Sequence, residues 1–220
     1  MVIVLGQQYY FKHKRKFDLI SGLFLSNTIL GSGLVVAPVV VASNTLKNGV
    51  VLGIAFFVIT FFTVMLSRVI PKKVPYTLRV VIYVLLAAVI YIPTAMFLTN
   101  IMPDTVYKVG IFLPLLITNS LITQKIEGRF KYKRFGVMTV DLLSHIFGFV
   151  IVIILVGAIR EVLGTGMIWD TKITFITKTA PAIMYPFCGF IILGFMSAVL
   201  QKIKLTVQKP SKDGQAKEDE

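Results

Sequence analysis

Long apolar runs separated by short polar segments dominate this chain of 220 residues. A helix that crosses a bilayer needs about 20 mostly apolar residues, so the runs predict six transmembrane helices. The predicted spans are residues 19–42, 49–66, 80–98, 106–123, 140–159 and 182–200. The same pattern predicts a basic cytoplasmic N-terminal tail over residues 1–18, a six-helix membrane domain over residues 19–201, and a polar, disordered tail over residues 202–220.

The composition supports a membrane protein and excludes several other classes. Hydrophobic residues make up 56% of the chain and charged residues 15%, and the mean hydropathy is +0.83. A soluble domain carries roughly a quarter charged residues, and a disordered chain carries even more. With Cys188 as its single cysteine and only two histidines, the chain cannot build a disulfide framework, a thiolate metal cage or a zinc site alone.

The basic residues set the predicted orientation. The net charge is +13, and most of the 23 Lys and Arg residues fall in the N-tail, the loops after spans 2 and 4, and the C-tail. Cytoplasmic segments of membrane proteins collect Lys and Arg. We therefore predict a multi-pass protein of a prokaryotic cytoplasmic membrane with both termini cytoplasmic. Membrane topology and attraction to the lipid bilayer therefore account for the net positive charge, and nucleic acid is not a predicted partner.

Spans 2, 3 and 6 are predicted to be ordinary lipid-facing helices, whereas the first and fourth spans contain unusually many helix-breaking and polar residues. The segment APVVVASN (residues 37–44) resembles LPLLITNS (residues 113–120), and each belongs to the first span of a three-span half. We attribute the two breaks to the prolines of these segments, Pro38 and Pro114, because proline removes a backbone donor. Because three spans reverse the direction of the chain, such a repeat is an inverted one, and paired broken helices point to a central site. The predicted fold is all-α, with two inverted three-helix repeats and broken helices 1 and 4. The predicted central residues are Gly33, Pro38, Asn44, Pro114, Asn119 and Ser120.

The fifth span adds ionisable residues. Asp141 and His145 share one helix face near its cytoplasmic start, and Arg160 and Glu161 lie at its outer end. We interpret Asp141 as a structural or helix-terminal charge and His145 as a packing residue. Arg160 is expected near the interface, where long side chains reach water. Because Arg160 and Glu161 are adjacent, they point to different sides, which favours assembly or gating contacts between helices or subunits.

Three segments resemble a known family: GIFLPLLITN (residues 110–119), VGAIREVLGTG (residues 156–166) and LRVVIYV (residues 78–84). Together they resemble the small six-span subunits of the Rnf electron-transport complex and of the sodium-translocating NADH:quinone reductase. The REVLGTG stretch is similar to the RnfE/NqrD branch. The resemblance covers about residues 20–200.

The resemblance implies a partner and a cofactor. In that family two such subunits pair in opposite orientations, and each supplies two cysteines from its broken helices to an intramembrane iron–sulfur centre between flavin-bearing partners. The family's cysteine positions fall on Ser120 and about Gly33 here, and neither is a cysteine. Serine is a poor ligand for a soft metal site, and glycine has no side chain. We therefore expect this chain to bind no cofactor alone, with flavin or quinone held by partners.

Two functions remain open from the sequence. The first is an accessory, non-catalytic subunit of a membrane electron-transfer complex, whose partners are other membrane subunits, an oppositely oriented paralogue and a flavoprotein. The alternative is a transporter or permease component for a small solute or cation. In that alternative, Asn44, Asn119 and Ser120 would supply oxygen ligands along a path between the breaks.

Overall fold

The computed structural model describes residues 27, 29–31, 33, 35–71, 73–128, 135–172 and 179–208. The predicted N-tail, residues 19–26 of the first predicted span and the tail beyond Gln208 lie outside these residues. Seven helices carry the described fold. They are α1 (Leu46–Leu66), α2 (Tyr76–Ile101), α3 (Pro103–Val109), α4 (Phe112–Leu115), α5 (Ser120–Glu127), α6 (Phe135–Thr165) and α7 (Pro186–Gln208).

The described helices make this a multi-pass, all-α membrane protein. Four of them (α1, α2, α6 and α7) are long and apolar enough to cross a bilayer, and α3 with the following helical segment forms a fifth, bent candidate. The first of the six predicted spans is described only in part, from residue 27 onward with gaps at residues 28, 32 and 34. Its described end is a π-helical turn over Pro38–Ala42, hereafter the Pro38 turn.

Helices α1 and α6 form the centre of the described fold. They make the most extensive helix–helix contact in it, and about half of each apolar window is buried. Glycine lets their backbones approach: a Cβ added at Gly49 would lie 3.0 Å from Ile153 O, and one at Gly157 would lie 2.8 Å from Thr45 O. Small residues are the usual means of close helix packing in membranes, where lipid supplies no hydrophobic drive.

The central position of α1 corrects one sequence interpretation. Spans 2, 3 and 6 were all expected to be ordinary lipid-facing helices. Helices α2 and α7 are largely exposed, with only 17% and 11% of their windows buried, but 56% of the α1 window is buried. The small and hydroxyl residues of α1, including Gly53, Thr60 and Thr63, lie buried against neighbouring helices. Mean hydropathy alone does not distinguish such a helix from one that faces lipid.

Several element boundaries differ from the sequence prediction. Helix α6 is longer than predicted and extends from Phe135 to Thr165, and α7 continues to Gln208, past the predicted end of span 6. The predicted start of span 6 is a 3-10 turn over Pro181–Met184, so α7 begins only at Pro186. Proline is compatible with the first turn of each segment, because an N–H group at that position would have no hydrogen-bond partner within the helix.

A two-stranded hairpin after α6 was not predicted. Strands β1 (Met167–Ile168) and β2 (Thr171–Lys172) pair antiparallel around Trp169 and Asp170, whose φ values are +53° and +63°. Two positive φ values are typical of the tight hairpin turn that matches strand twist. Lys47 at the start of α1 forms an ion pair with Asp170. Its ammonium group holds the pKa of Asp170 below the usual value.

Candidate functional site

The bend in the predicted fourth span lies at Gly110. Helix α3 and the helical segment that starts at Phe112 meet at 70°, and Gly110 has φ +53°. That conformation strains any residue with a Cβ, which explains glycine here. The break was attributed to Pro114 from the sequence, and this was wrong in detail. Pro114 lies in the first turn of α4, where a missing N–H costs no intrahelical hydrogen bond.

A second irregular segment lies at the end of the predicted first span. Pro38 opens the Pro38 turn, and the chain leaves helical geometry at Ser43, whose hydroxyl donates to Val39 O. Asn48 of α1 ties the segment down by donating to Ala42 O at 3.1 Å and to Asn44 Oδ1 at 2.6 Å. Thus Asn44 has a structural hydrogen bond within the break.

The two irregular segments lie next to each other. Residues of the Pro38 turn and of α4 have Cα atoms within 8 Å, and the Pro38 turn also packs on α7. Both segments have a glycine with positive φ a few residues before the proline, Gly33 at +63° and Gly110 at +53°. Gly33 itself is exposed, with open space where a Cβ would be. The structure therefore brings the Pro38 turn and α4 together and leaves Gly33 at the surface of the described chain.

Arg160 is the largest fully buried side chain of the described residues, with 0% exposure. It donates four hydrogen bonds to backbone carbonyls at the two segments around it. Nη1 lies 2.6 Å from Val40 O and 3.3 Å from Ser43 O, Nη2 lies 2.6 Å from Met184 O, and Nε lies 3.2 Å from Ile183 O. No carboxylate within the described part of the chain forms an ion pair with it. The guanidinium therefore neutralises unpaired carbonyls at chain breaks, which attract a cation as helix C-termini do.

Glu161 completes this contact from the next position of α6. Its Oε2 accepts a hydrogen bond of 2.6 Å from Leu46 N, the first residue of α1. An anion at a helix N-terminus satisfies an orphan N–H and complements the helix dipole. Arg160 and Glu161 thus hold the carbonyls before α1 and the amide that starts α1, respectively. We name Arg160 and Glu161 together the α6 clamp.

The α6 clamp shows what these side chains contact. Arg160 is fully buried, and backbone carbonyls within the chain accept its hydrogen bonds. The adjacent residues do point to different partners, as the sequence indicated, and these partners are backbone groups of neighbouring segments. The two proline-containing turns were a signal in the sequence that such a role would be needed. The sequence did not identify the α6 clamp as the partner of these turns.

Asn119 and Ser120 start the half-helix α5. Asn119 is 6% exposed, and its Oδ1 caps α5 by accepting from Ile122 N at 3.0 Å. Its Nδ2 donates to Thr60 Oγ1 of α1 at 3.0 Å and to Leu116 O at 3.0 Å. Ser120, at the first position of the helix, is exposed. Asn119 therefore has a positioning role in this structure, with its polar atoms engaged by the protein.

Asp141 is buried at 7% exposure and pairs with Lys125 of α5, whose Nζ lies 3.0 Å from Asp141 Oδ2. Because α6 begins at Phe135, Asp141 lies in the second turn and is not a terminal charge, which corrects that part of its interpretation. Lys125 was missed in the sequence, where it counted only as a loop charge. The signal that could have found it was its position in a short segment of mixed apolar and polar residues, SLITQKIE (residues 120–127), directly after the capping residue Asn119.

The family's iron–sulfur centre does not fit the residues present here. The positions implied by the resemblance are an exposed glycine and an exposed serine, and neither supplies a thiolate. The single cysteine, Cys188, lies in the first turn of α7. It precedes Gly189, where an added Cβ would lie 3.4 Å from Arg160 Nη1. Among the described residues, no group of three or more His, Cys, Asp or Glu side chains could hold a metal ion.

Comparison with known proteins gives one consistent family. The model of a family described as Rnf-Nqr subunit, membrane protein, matches residues 16–197. The E subunit of the ion-translocating oxidoreductase complex of Haemophilus ducreyi is 29% identical over 153 residues, covering 69% of this chain and 67% of that protein. The Methanosarcina acetivorans protein of the same name is 26% identical over 159 residues, covering 72% and 75%. The Shewanella oneidensis protein is 28% identical over 206 residues, covering 86% and 88%.

Proposed function

Because the chain belongs to the Rnf-Nqr subunit family, we propose that it is an integral membrane subunit of an Rnf-like electron-transfer complex. It passes reducing equivalents across the cytoplasmic membrane, to or from flavin-bearing partners. The observation that carries this proposal is the family match, which extends through nearly all of the predicted membrane domain. The relatives are named as the E subunit of an ion-translocating oxidoreductase complex, which supports assembly with other membrane subunits.

The geometry of the breaks supports a scaffold role within such a complex. Irregular backbone at membrane depth is tolerated where protein buries it. Here the carbonyls of the Pro38 turn are satisfied by the α6 clamp, and the start of α5 is held by the Asn119 cap. The proposed fold is six spans in two inverted halves with both termini cytoplasmic. The proposed partners include an oppositely oriented paralogue and a flavoprotein.

We propose further that this chain contributes no iron–sulfur ligands and binds no cofactor alone. Electrons then pass between carriers held by partner chains, with flavin or quinone as the candidates. The support is the donor set: the chain has one thiol, and it lies beside the α6 clamp.

Co-purification tests this function. The full chain carrying an affinity tag is extracted from its native membrane in mild detergent, and the chains, flavin and iron that accompany it are measured. We expect membrane partners and a flavoprotein, and loss of the corresponding reductase activity when the gene is deleted. Recovery of the chain alone, together with unchanged reductase activity in the deletion strain, would contradict the proposal.

A single substitution tests the cofactor part separately. Cys188→Ser removes the only thiol of the chain. We expect the iron content of the purified complex and its electron-transfer rate to match those of the wild type. If the complex still assembles but loses iron in a fixed number of atoms per copy of this subunit, the chain does ligate a metal centre.

A further inference from the structure

Lys125, Asp141 and His145 form one hydrogen-bonded cluster between the half-helix α5 and α6. Lys125 Nζ lies 3.0 Å from Asp141 Oδ2 and 3.3 Å from His145 Nε2. His145 Nδ1 lies 2.9 Å from Asp141 O, one helical turn earlier. Their side chains are only 13%, 10% and 13% exposed. Ionisable groups inside membrane helices are rare and mark ion or proton pathways.

The hydrogen bonds determine where the protons are. A backbone carbonyl can only accept, so His145 Nδ1 carries the proton that it donates to Asp141 O. An ammonium group can only donate, so Lys125 donates to His145 Nε2, and this nitrogen carries no proton and accepts through its lone pair. The arrangement therefore contains a neutral imidazole that faces a proton donor.

One carboxylate faces both bases of the cluster. Asp141 Oδ2 lies 3.0 Å from Lys125 Nζ, and Asp141 Oδ1 lies 4.0 Å from His145 Nδ1. A cation on either base consequently stays beside the same anion, which limits the electrostatic cost of exchanging the proton between them. We propose that Lys125, Asp141 and His145 form a proton-binding site in which a proton passes between Lys125 and His145.

The proposed step balances without another reactant. The Lys125 N–H bond breaks, the His145 Nε2–H bond forms, and the total charge of the cluster is unchanged. Hydronium at the basic end of the bundle then protonates the neutral amine of Lys125 and becomes water, and His145 returns to the neutral imidazole by releasing its Nε2 proton to another water molecule. No electron moves within the cluster.

Among the described residues, Asp141 supplies the carboxylate of the cluster. The ionisable residues of α1 and α6 other than the cluster are Lys47 in the first turn of α1 and Arg160 and Glu161 near the end of α6, all toward the opposite end of the bundle. Glu127 of α5 is already engaged by Arg79 and Tyr83 of α2, each at 2.8 Å. The remaining titratable groups of the described residues toward this end are Arg68 and Lys73 between α1 and α2, Tyr76 on α2, and Lys202 and Lys204 on α7. The Arg68 guanidinium lies over the Phe135 ring.

The chemistry of the cluster favours a proton over a metal cation. Hard cations such as sodium or calcium prefer several oxygen ligands. Here an ammonium group occupies the position beside the carboxylate, and the third member offers nitrogen. The cluster also lies on α5, the same half-helix that starts at the Asn119 cap. The site therefore connects the break to one face of the membrane, and its role in the complex rests on the proposed electron-transfer function.

Proton movement in the assembled complex tests the role. Inverted membrane vesicles containing the complex are given an electron donor, and protons moved per electron are followed with a pH-sensitive dye. We expect the ratio to fall to the background of de-energised vesicles for Asp141→Asn and His145→Gln. The control Asp170→Asn, which removes an exposed ion pair outside the membrane, should keep the wild-type ratio. A wild-type complex that moves no protons, or variants with an unchanged ratio, would overturn the proposal.

Histidine spectroscopy tests the site independently of electron transfer. His13→Gln leaves a single imidazole in the full chain, which is labelled with nitrogen-15 and placed in lipid nanodiscs. We expect the neutral tautomer with the proton on Nδ1, and a changed Nε2 resonance on Lys125→Met but not on Lys73→Met. A proton on Nε2, or a spectrum insensitive to Lys125→Met, would overturn the cluster even if the complex transfers electrons. If a cluster variant stops electron transfer altogether, the ratio of protons to electrons cannot be measured for it. The imidazole spectrum then tests the proposed site.

Discussion

Replacing Arg160 tests the energetic role of the α6 clamp. Arg160→Met keeps an unbranched apolar stem but removes all four hydrogen bonds to backbone carbonyls. A hydrogen bond from a charged donor contributes about 1.5–3 kcal/mol, and the bonds at Val40 O and Met184 O are the shortest. Simple addition would overstate the loss, because freed carbonyls relax and recruit water or other donors.

A buried acceptor left without its donor costs about 1–3 kcal/mol. Because the two shortest bonds dominate and the other carbonyls relax, we expect Arg160→Met to cost about 3–5 kcal/mol, which is less than the sum over all four carbonyls. A loss of about 4 kcal/mol is nearly a thousandfold change in the unfolding equilibrium. Arg160→Lys should recover only part of it, since an ammonium group has three donors and lacks the planar fork that reaches carbonyls of two segments at once.

Cys188 provides a built-in assay for this prediction. It is the only thiol of the chain, is partly buried, and precedes Gly189, where an added Cβ would lie 3.4 Å from Arg160 Nη1. Alkylation of this thiol by a maleimide in nanodiscs should become faster in Arg160→Met, and the unfolding midpoint in detergent should fall. The control Lys172→Met removes an exposed charge at the same end of the bundle. Wild-type stability together with wild-type alkylation in Arg160→Met would refute the reasoning.

Three further changes have defined outcomes. Glu161→Gln keeps an acceptor for Leu46 N but removes the charge, so we expect unfolding free energy to fall by about 0.5–1 kcal/mol in a denaturant titration. Gly157→Ala places a Cβ 2.8 Å from Thr45 O, and the resulting separation of α1 and α6 should cost about 1–3 kcal/mol in the same titration, as overpacking does. Asn119→Ala removes the α5 cap and should cost about 1–2 kcal/mol, while the Asn119→Asp variant, which keeps the cap acceptor, should lose less.

The sequence predicted the membrane class and the positions of the long helices because these depend on mean hydropathy, a local property. It also indicated irregular backbone near Pro38 and Pro114, since glycine and proline act within one or two turns. It could not assign α1 to the centre of the bundle. That position depends on which neighbours approach Gly49 and Gly157, and such contacts join residues about a hundred positions apart.

The candidate site was only partly accessible from sequence for the same reason. The residues of the α6 clamp were identified as unusual, but their partners are backbone carbonyls and an amide, which leave no trace in side-chain chemistry. Lys125 was classified with the loop charges because nothing nearby in the chain marks Asp141 and His145 as its partners. The bend at Gly110 was attributed to Pro114, because proline is the stronger breaker in sequence and a positive φ is visible only in the fold.

Cross-linking across the two breaks tests the central claim of the structure most directly. In a Cys188→Ser background, cysteines are placed in pairs, with one in the Pro38 turn and one in α4, such as Val41→Cys with Leu115→Cys. The control pair joins Val41→Cys to Leu85→Cys on the exposed face of α2. Oxidation in native membranes should form an intramolecular disulfide between the breaks and none in the control pair. If every pairing between the Pro38 turn and α4 stays reduced while both cysteines remain reactive to maleimide, the two breaks do not meet.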